Sequence, residues 1–246
     1  MTARPTRTRS VLIGVSVLLL AGCSSFTLPG DPPTDLVPSS APFATPTSTG
    51  NLSPDGFDAA QRMSVRVRNV GCGSVSTGSG FAIDEHTLIT NKHVVADSAE
   101  LQLSTYDGRD VTVATAASAS LADLALVRTD DALPSATQLG DADPAPGDPI
   151  TVVGYPEGGE LTVTSGRVIG TTPDPLNSNL GEVLLTDAAV EPGSSGSAVL
   201  DSAGHVVGVV YAKNQAGQSF VVPVSTLRTI LGDEGALIPT VACSAG

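Results

Sequence analysis

From Met63 onward the chain alternates short, β-branched apolar runs with turn residues, and this spacing restricts it to a β architecture. Runs at 64–70, 79–83, 87–90, 101–104, 111–114 and 124–127 read as strands. A Pro- and Asp-rich stretch over 130–148 interrupts them, and strands resume at 150–153, 161–169, 183–186, 198–200, 206–211 and 219–222. Two such sets, without helices between successive strands, argue against a parallel βαβ protein. They predict an all-β chain of two six-stranded antiparallel β-barrels, the first over 63–130 and the second over 148–224. Only 225–231 reads as a helix of any length, with Ser225 as its cap, and a short helix is expected after Asn91. Aromatic residues make up 3% of the chain and tryptophan is absent, so Val, Leu, Ile and Ala must build the core.

The first fifty or so residues are of another kind. Arg4, Arg7 and Arg9 precede an apolar run over 11–20 that ends in Leu20-Ala-Gly-Cys23. The run is too short for a comfortable membrane span and suits the core of a signal peptide over 1–22. Its ending resembles the lipobox of bacterial lipoproteins, which implies that Cys23 becomes the lipid-modified first residue of the mature chain. An ordinary signal peptide or an uncleaved anchor is the competing reading. Residues 23–56 are rich in Pro, Ser, Thr and Gly and cannot bury enough apolar surface to order themselves, so they read as a tether for a folded domain over 57–246. The expected location is the outer face of the bacterial cell membrane, held there by the lipid. With Cys23 set aside, Cys72 and Cys243 form an even pair outside the cytosol, which suggests a disulfide; two buried free thiols are the alternative. The formal charge is −13, and loss of the three signal arginines makes the mature chain more acidic still. Nucleic acid is therefore not an expected partner.

Chemistry concentrates in the stretch 187–199, Asp-Ala-Ala-Val-Glu-Pro-Gly-Ser-Ser-Gly-Ser-Ala-Val. A serine hydroxyl is a poor nucleophile at neutral pH and needs a neighbouring base and donors for the oxyanion it creates. Gly193 and Gly196 give the backbone the freedom to aim amides at such an oxyanion. Taken alone, a Gly/Ser run is more often a flexible turn. The base must come from His86, His93 or His205. His86 and His205 stand in polar turns, whereas His93 follows the buried run Leu88-Ile-Thr-Asn-Lys and precedes Val94-Val-Ala. Among the acids, Asp123 in Leu121-Ala-Asp-Leu-Ala-Leu-Val127 enters an apolar strand, where a carboxylate is costly unless hydrogen-bonded. A structural histidine and a strand-start aspartate are the plain alternatives for each residue by itself.

Together the motifs resemble the trypsin-like serine proteases of the HtrA/Deg group. Thr77-Gly-Ser-Gly-Phe-Ala-Ile83, Leu88-Ile-Thr-Asn-Lys-His-Val-Val95, Ala122-Asp-Leu-Ala-Leu126, Thr162-Val-Thr-Ser-Gly166 and Thr186-Asp-Ala-Ala-Val-Glu-Pro-Gly-Ser-Ser-Gly-Ser197 follow that group in order. The paired cysteines and the Gly154-Tyr-Pro turn are similar to the MarP-like, membrane-tethered actinobacterial branch. The resemblance covers about 63–232 and implies a chymotrypsin-like fold with its site between the barrels. It implies a catalytic triad of His93, Asp123 and Ser195, with an oxyanion hole from the amides of Gly193 and Ser195. No metal and no organic cofactor are implied, and the partners are protein or peptide substrates. Ser194 and Ser197 are expected to be non-catalytic neighbours of the nucleophile.

Departures from the group carry information. Ser194 replaces the aspartate that pairs with a new N-terminus in digestive enzymes, so that form of activation is not expected. Ser197 replaces a second glycine, and Glu191 stands where the HtrA group usually has asparagine, either opposing acidic peptides or remaining a solvated charge. No PDZ domain is expected between the last helix and Gly246. The main specificity pocket is expected from Ala188, Ala189, Val190, Tyr211 and Ala212, which hold no carboxylate; this predicts small or medium apolar residues before the cut. The function that follows is a lipid-anchored serine endopeptidase in envelope quality control or processing. A catalytically silent or latent protease-fold scaffold is the alternative. A solute-binding lipoprotein would need a longer α/β chain.

Overall fold

The structure, a computed structural model, describes residues 57–176 and 181–243; the expected signal peptide, Cys23 lipidation and tether lie outside the described residues. The architecture is all-β and antiparallel, in two units. The second is a closed six-strand barrel made of β8 (Pro149–Gly154), β9 (Thr162–Pro173), β10 (Glu182–Thr186), β11 (Ala198–Leu200), β12 (Val206–Lys213) and β13 (Ser219–Pro223). Its order is β10-β13-β12-β11-β8-β9, and β9 pairs with β10 to close the ring. Ile150, Val152, Val199, Val210 and Val221 fill it.

The first unit is an eight-stranded sheet in which the expected run at 111–114 is divided. It comprises β1 (Ser64–Gly71), β2 (Val75–Asp84), β3 (Thr87–Thr90), β4 (Ser98–Thr105), β5 (Asp110–Val111), β6 (Val113–Ala119), β7 (Ala125–Thr129) and β14 (Leu237–Pro239), in the order β14-β6-β7-β3-β2-β1-β4-β5. The division falls at Thr112, whose N–H donates to the Asp131 carboxylate at 2.8 Å instead of joining a ladder. Val65, Val67, Leu88, Leu103 and Val127 form the core of this sheet. A third cluster, including Met63, Phe81, Ile89, Val153, Val209 and Leu227, joins the two units. Full burial of each such side chain contributes about 1.5–3 kcal/mol.

Among the described residues three short α-helices accompany the strands: α1 (Ala59–Arg62), α2 (Lys92–Val95) and α3 (Val224–Leu231). α3 buries Val224, Leu227 and Ile230 on one face. Ser225 does not cap it: Pro223 occupies the cap position, and Ser225 lies in the first turn, where its N–H and Oγ donate to the Asp143 carboxylate at 2.9 and 2.6 Å. A carboxylate from a distant loop thus satisfies the end of the helix, a partner that local sequence does not reveal.

Cys72 and Cys243 are joined in a disulfide across 171 residues. The segment that carries Cys243 bonds both sides of the first unit, with Thr240 N–H donating to the Ala116 carbonyl and Cys243 N–H to the Ser98 carbonyl. Replacing both cysteines by serine is expected to cost about 2–4 kcal/mol and to lower the thermal midpoint by about 10 °C. Melts of the wild type and the double variant, run without reductant, check this; equal midpoints would contradict a stabilising role.

Candidate active site

α2 carries His93 and is fixed from two sides. On one, Asn69 of β1 is buried and its Nδ2 donates to the carbonyls of Val94 and Ala96, at 2.9 and 2.8 Å. On the other, Asn91 Nδ2 donates to the Asp123 carbonyl at 2.6 Å, tying α2 to the turn before β7. The Asp123 carboxylate then contacts His93 twice: Oδ1 accepts from the backbone N–H at 3.0 Å, and Oδ2 lies 2.5 Å from Nδ1. The imidazole side chain is 50% exposed and the carboxylate 19%, so the acid lies behind a ring that remains open to solvent. His86 and His205 take no part; their rings approach the Thr129 carbonyl and Asp201.

The turn that carries Ser195 is held by backbone bonds. Gly193 and Gly196 have φ of +92° and +88°, a region that favours glycine. Ser194 N–H donates to the Glu191 carbonyl, Glu157 N–H to that of Pro192, and Gly196 N–H to that of Val210. Strand β2 contributes Ser79, whose N–H donates to the Ser195 carbonyl at 2.7 Å and whose Oγ donates to the Gly193 carbonyl at 2.9 Å. Among the described residues, the N–H groups of Gly193 and Ser195 have no hydrogen-bond partner. Two free amides beside one hydroxyl can receive a developing oxyanion.

Ser195 Oγ donates to the Tyr211 carbonyl at 3.4 Å, and among the described residues no hydrogen bond joins it to His93. The Tyr211 carbonyl is available because the register of β12 against β13 shifts between Val210 and Ala212. Contacts between nucleophile and base are often long in a ligand-free site. Nearby, β2 separates the Ser195 turn from α2. A Cβ on Gly78 would lie 2.6 Å from Val94 Cγ1 and 3.2 Å from the Ser195 carbonyl oxygen. Ser79 is the residue whose role sequence reasoning missed. Its signal was present, since glycines on both sides of a residue inside a strand mark close backbone approach.

The residues expected to line a specificity pocket have different surroundings. Ala188 and Val190 are buried in the core of the closed barrel, while Ala189 borders a cavity of about 230 Å³ with Val152, Gly154, Thr164, Ser194 and Ser197. Tyr211 is buried with its hydroxyl donating to Asp174 at 3.0 Å, and Ala212 is half-buried. Burial, together with the Asp174 partner, pushes the Tyr211 phenol far above its ordinary range. Burial likewise raises that of Tyr155, to about 12. The charge of Glu191 is balanced by an ion pair with Lys213 of β12. Among the described residues, no group of three or more His, Cys, Asp or Glu side chains could hold a metal ion.

The sequence profile of the trypsin-like peptidase domain matches residues 78–209. The serine protease Do-like HtrA of Bacillus subtilis is 35% identical over 171 residues, which are 63% of this chain and 38% of that protein. A probable periplasmic DegP-like serine endoprotease of Hahella chejuensis is 31% identical over 66% of this chain and 37% of its own length. The chain thus spans well under half the length of these relatives. The active form of the Rv3671c protease from M. tuberculosis superposes with a TM-score of 0.64 at 26% identity, covering 76% of this chain and 86% of that one. Profile, relatives and fold agree, and the chain belongs to the trypsin-like peptidases, in their HtrA-like group.

Proposed function

We propose that this chain is an exported serine endopeptidase that cuts protein substrates outside the cytoplasm. The observation that carries the reading is the pairing of the Asp123 carboxylate with the backbone N–H and the ring Nδ1 of His93, together with a serine turn in which the amides of Gly193 and Ser195 are free. In this reading Ser195 Oγ turns from the Tyr211 carbonyl to His93 and attacks the scissile carbonyl as His93 takes its proton. Asp123 holds the tautomer in which Nδ1 carries the hydrogen and stabilises the imidazolium that forms. The amides of Gly193 and Ser195 bind the oxyanion, where each donor contributes about 3 kcal/mol to transition-state stabilisation. His93 returns the proton to the leaving amine, and water releases the acyl group from Ser195. Small or medium apolar residues enter before the cut, between the 188–190 segment and Tyr211-Ala212. Lipid on Cys23 anchors the enzyme at the outer membrane face, where quality control or processing of exported proteins is its task. The name of the periplasmic DegP-like relative supports the compartment.

A fluorophosphonate probe tests the chemistry. Labelling of the wild type that disappears in Ser195→Ala is expected; a folded, oxidised wild type that neither labels nor cuts unfolded casein sinks the endopeptidase reading. A latent resting state or catalytically silent scaffold is the second reading, favoured by the hydrogen bond of Ser195 Oγ to Tyr211 rather than to His93. Latency predicts slow labelling that accelerates when a peptide is added; a silent scaffold predicts none.

A further inference from the structure

Where β8 ends and β9 begins, the closed barrel holds the cavity of about 230 Å³ that the proposed chemistry does not use. One wall is a single face of the β8–β9 hairpin. Val152 lies opposite Thr164 and Gly154 opposite Thr162, so all four stand on the side from which Val152 enters the barrel core. The facing wall is the 189–197 segment, which contributes Ala189, Glu191, Ser194 and Ser197. Neither His93, Ser195 nor Tyr211 borders the space, so a guest in it leaves the triad residues uncovered.

One polar atom here is unsatisfied. Ser197 is fully buried, its N–H donates to the Ser194 carbonyl and its own carbonyl accepts from Val210 N–H. Among the described residues its Oγ has no hydrogen-bond partner. A Cβ added to Gly154 would overlap that Oγ, which places the hydroxyl against the hairpin face that walls the cavity. A buried hydroxyl left unbonded is costly, and a guest that bonds to it removes the penalty. The other groups are apolar or engaged. Val152, Pro156 and Ala189 offer hydrocarbon, Ser194 Oγ accepts from Glu191 N–H at 3.2 Å, and the Glu191 carboxylate is paired with Lys213. An ammonium therefore meets no free counter-charge, and a carboxylate meets a like charge at the rim.

We propose that this cavity binds a small neutral molecule with a short branched apolar body and one hydrogen-bonding head, the chemistry of a small alcohol. Its head bonds to Ser197 Oγ, and its body lies against Val152, Pro156 and Ala189. The size fits, since an apolar cavity of about 150 Å³ holds a benzene ring. Exposed Thr162, Ala189 and Glu191 leave a way in from solvent. The mouths of β-barrels are favoured places for such sites. A guest here also touches the segment that presents the free amides of Gly193 and Ser195, from the side of the barrel.

The test titrates isobutanol into the full chain, labelled at its Val and Ala methyl groups and followed by NMR. Saturable shifts with a Kd of about 1–10 mM are expected, with intermolecular NOEs to the methyls of Val152 and Ala189. Isobutylammonium and isobutyrate should bind at least about tenfold more weakly, because each brings a charge that finds no partner. Ser197→Ala should weaken isobutanol about three- to tenfold while melting no lower than the wild type, since an unbonded buried hydroxyl does not support the fold. Thr164→Leu, which fills the space from the hairpin side, should abolish the NOEs, with a thermal melt as its folding control. Absence of saturable shifts up to about 100 mM isobutanol would mean that water alone enters the cavity and would overturn the proposal. Shifts without NOEs at Val152 and Ala189, or a Ser197→Ala chain of unchanged affinity, would overturn it equally. No bond is cut in this assay, so its outcome leaves the endopeptidase reading untouched.

Discussion

Asp123→Asn is expected to lower kcat by about 10⁴ while leaving the protein folded. The amide keeps the size of the carboxylate, and its remaining oxygen can still accept from the His93 backbone N–H, as Oδ1 does at 3.0 Å in the wild type. Asn91 continues to hold the residue through its main-chain carbonyl. What changes is the ring contact, 2.5 Å at Oδ2. An NH₂ group there favours the imidazole with its hydrogen on Nε2, a ring that cannot accept the proton of Ser195. The variant also has no negative charge to stabilise an imidazolium. Steady-state cleavage of a peptide, with thermal melts as the folding control, decides the matter. A folded variant within tenfold of wild type would remove Asp123 from the proposed triad.

Gly196→Ala is expected to fail differently, by losing the fold at the joint between the two units. The residue has φ of +88°, and an added Cβ would lie 1.9 Å from the Ser79 carbonyl oxygen and 2.6 Å from Thr90 Oγ1. Neither neighbour can yield cheaply. The Ser79 carbonyl already accepts from Thr90 Oγ1, and Ser79 N–H donates to the Ser195 carbonyl one residue before the substitution. Backbone strain and the clash together should cost about 3 kcal/mol or more. Gly204→Ala supplies the comparison, because Gly204 has φ of +84° but open space where the Cβ would go. Strain alone should limit its cost to about 1–2 kcal/mol. Denaturant midpoints of the two variants measure the difference, and equal values would show that close packing against Ser79 contributes nothing.

The strand runs were legible in sequence because burial on one or both faces imposes apolar, β-branched residues. This held for five strands of the closed barrel, whereas β9 buries only Val168 and is marked instead by its β-branched residues. The β5/β6 division was not legible, since it depends on a carboxylate 19 residues away from Thr112. Nor was the full length of β6, whose Ala-, Ser- and Thr-rich sequence lacks the apolar alternation that betrays a strand. At the candidate site, His93, Asp123 and Ser195 stood out through their residue types and flanking motifs. The structure adds contacts that no local pattern encodes: Asn69 against the end of α2, Ser79 against the Ser195 turn, and Lys213 against Glu191. The expected pocket residues lie between these cases. Alternation within 188–190 places Ala188 and Val190 inward and Ala189 outward, a distinction that a run of three apolar residues hides.

The pairing of β14 with β6 also bears on how the first sheet assembles. Leu237 lies opposite Ala119 and Pro239 opposite Ala117, so an edge of the first sheet is supplied by the last strand in the chain. The second barrel contains only strands from 149 to 223 and can complete its hydrogen-bonded ring without β14. The outer edge of β6 is therefore closed only by a pairing between residues more than a hundred positions apart, a non-local contact of the kind that forms slowly because the loop-closure entropy must be met first.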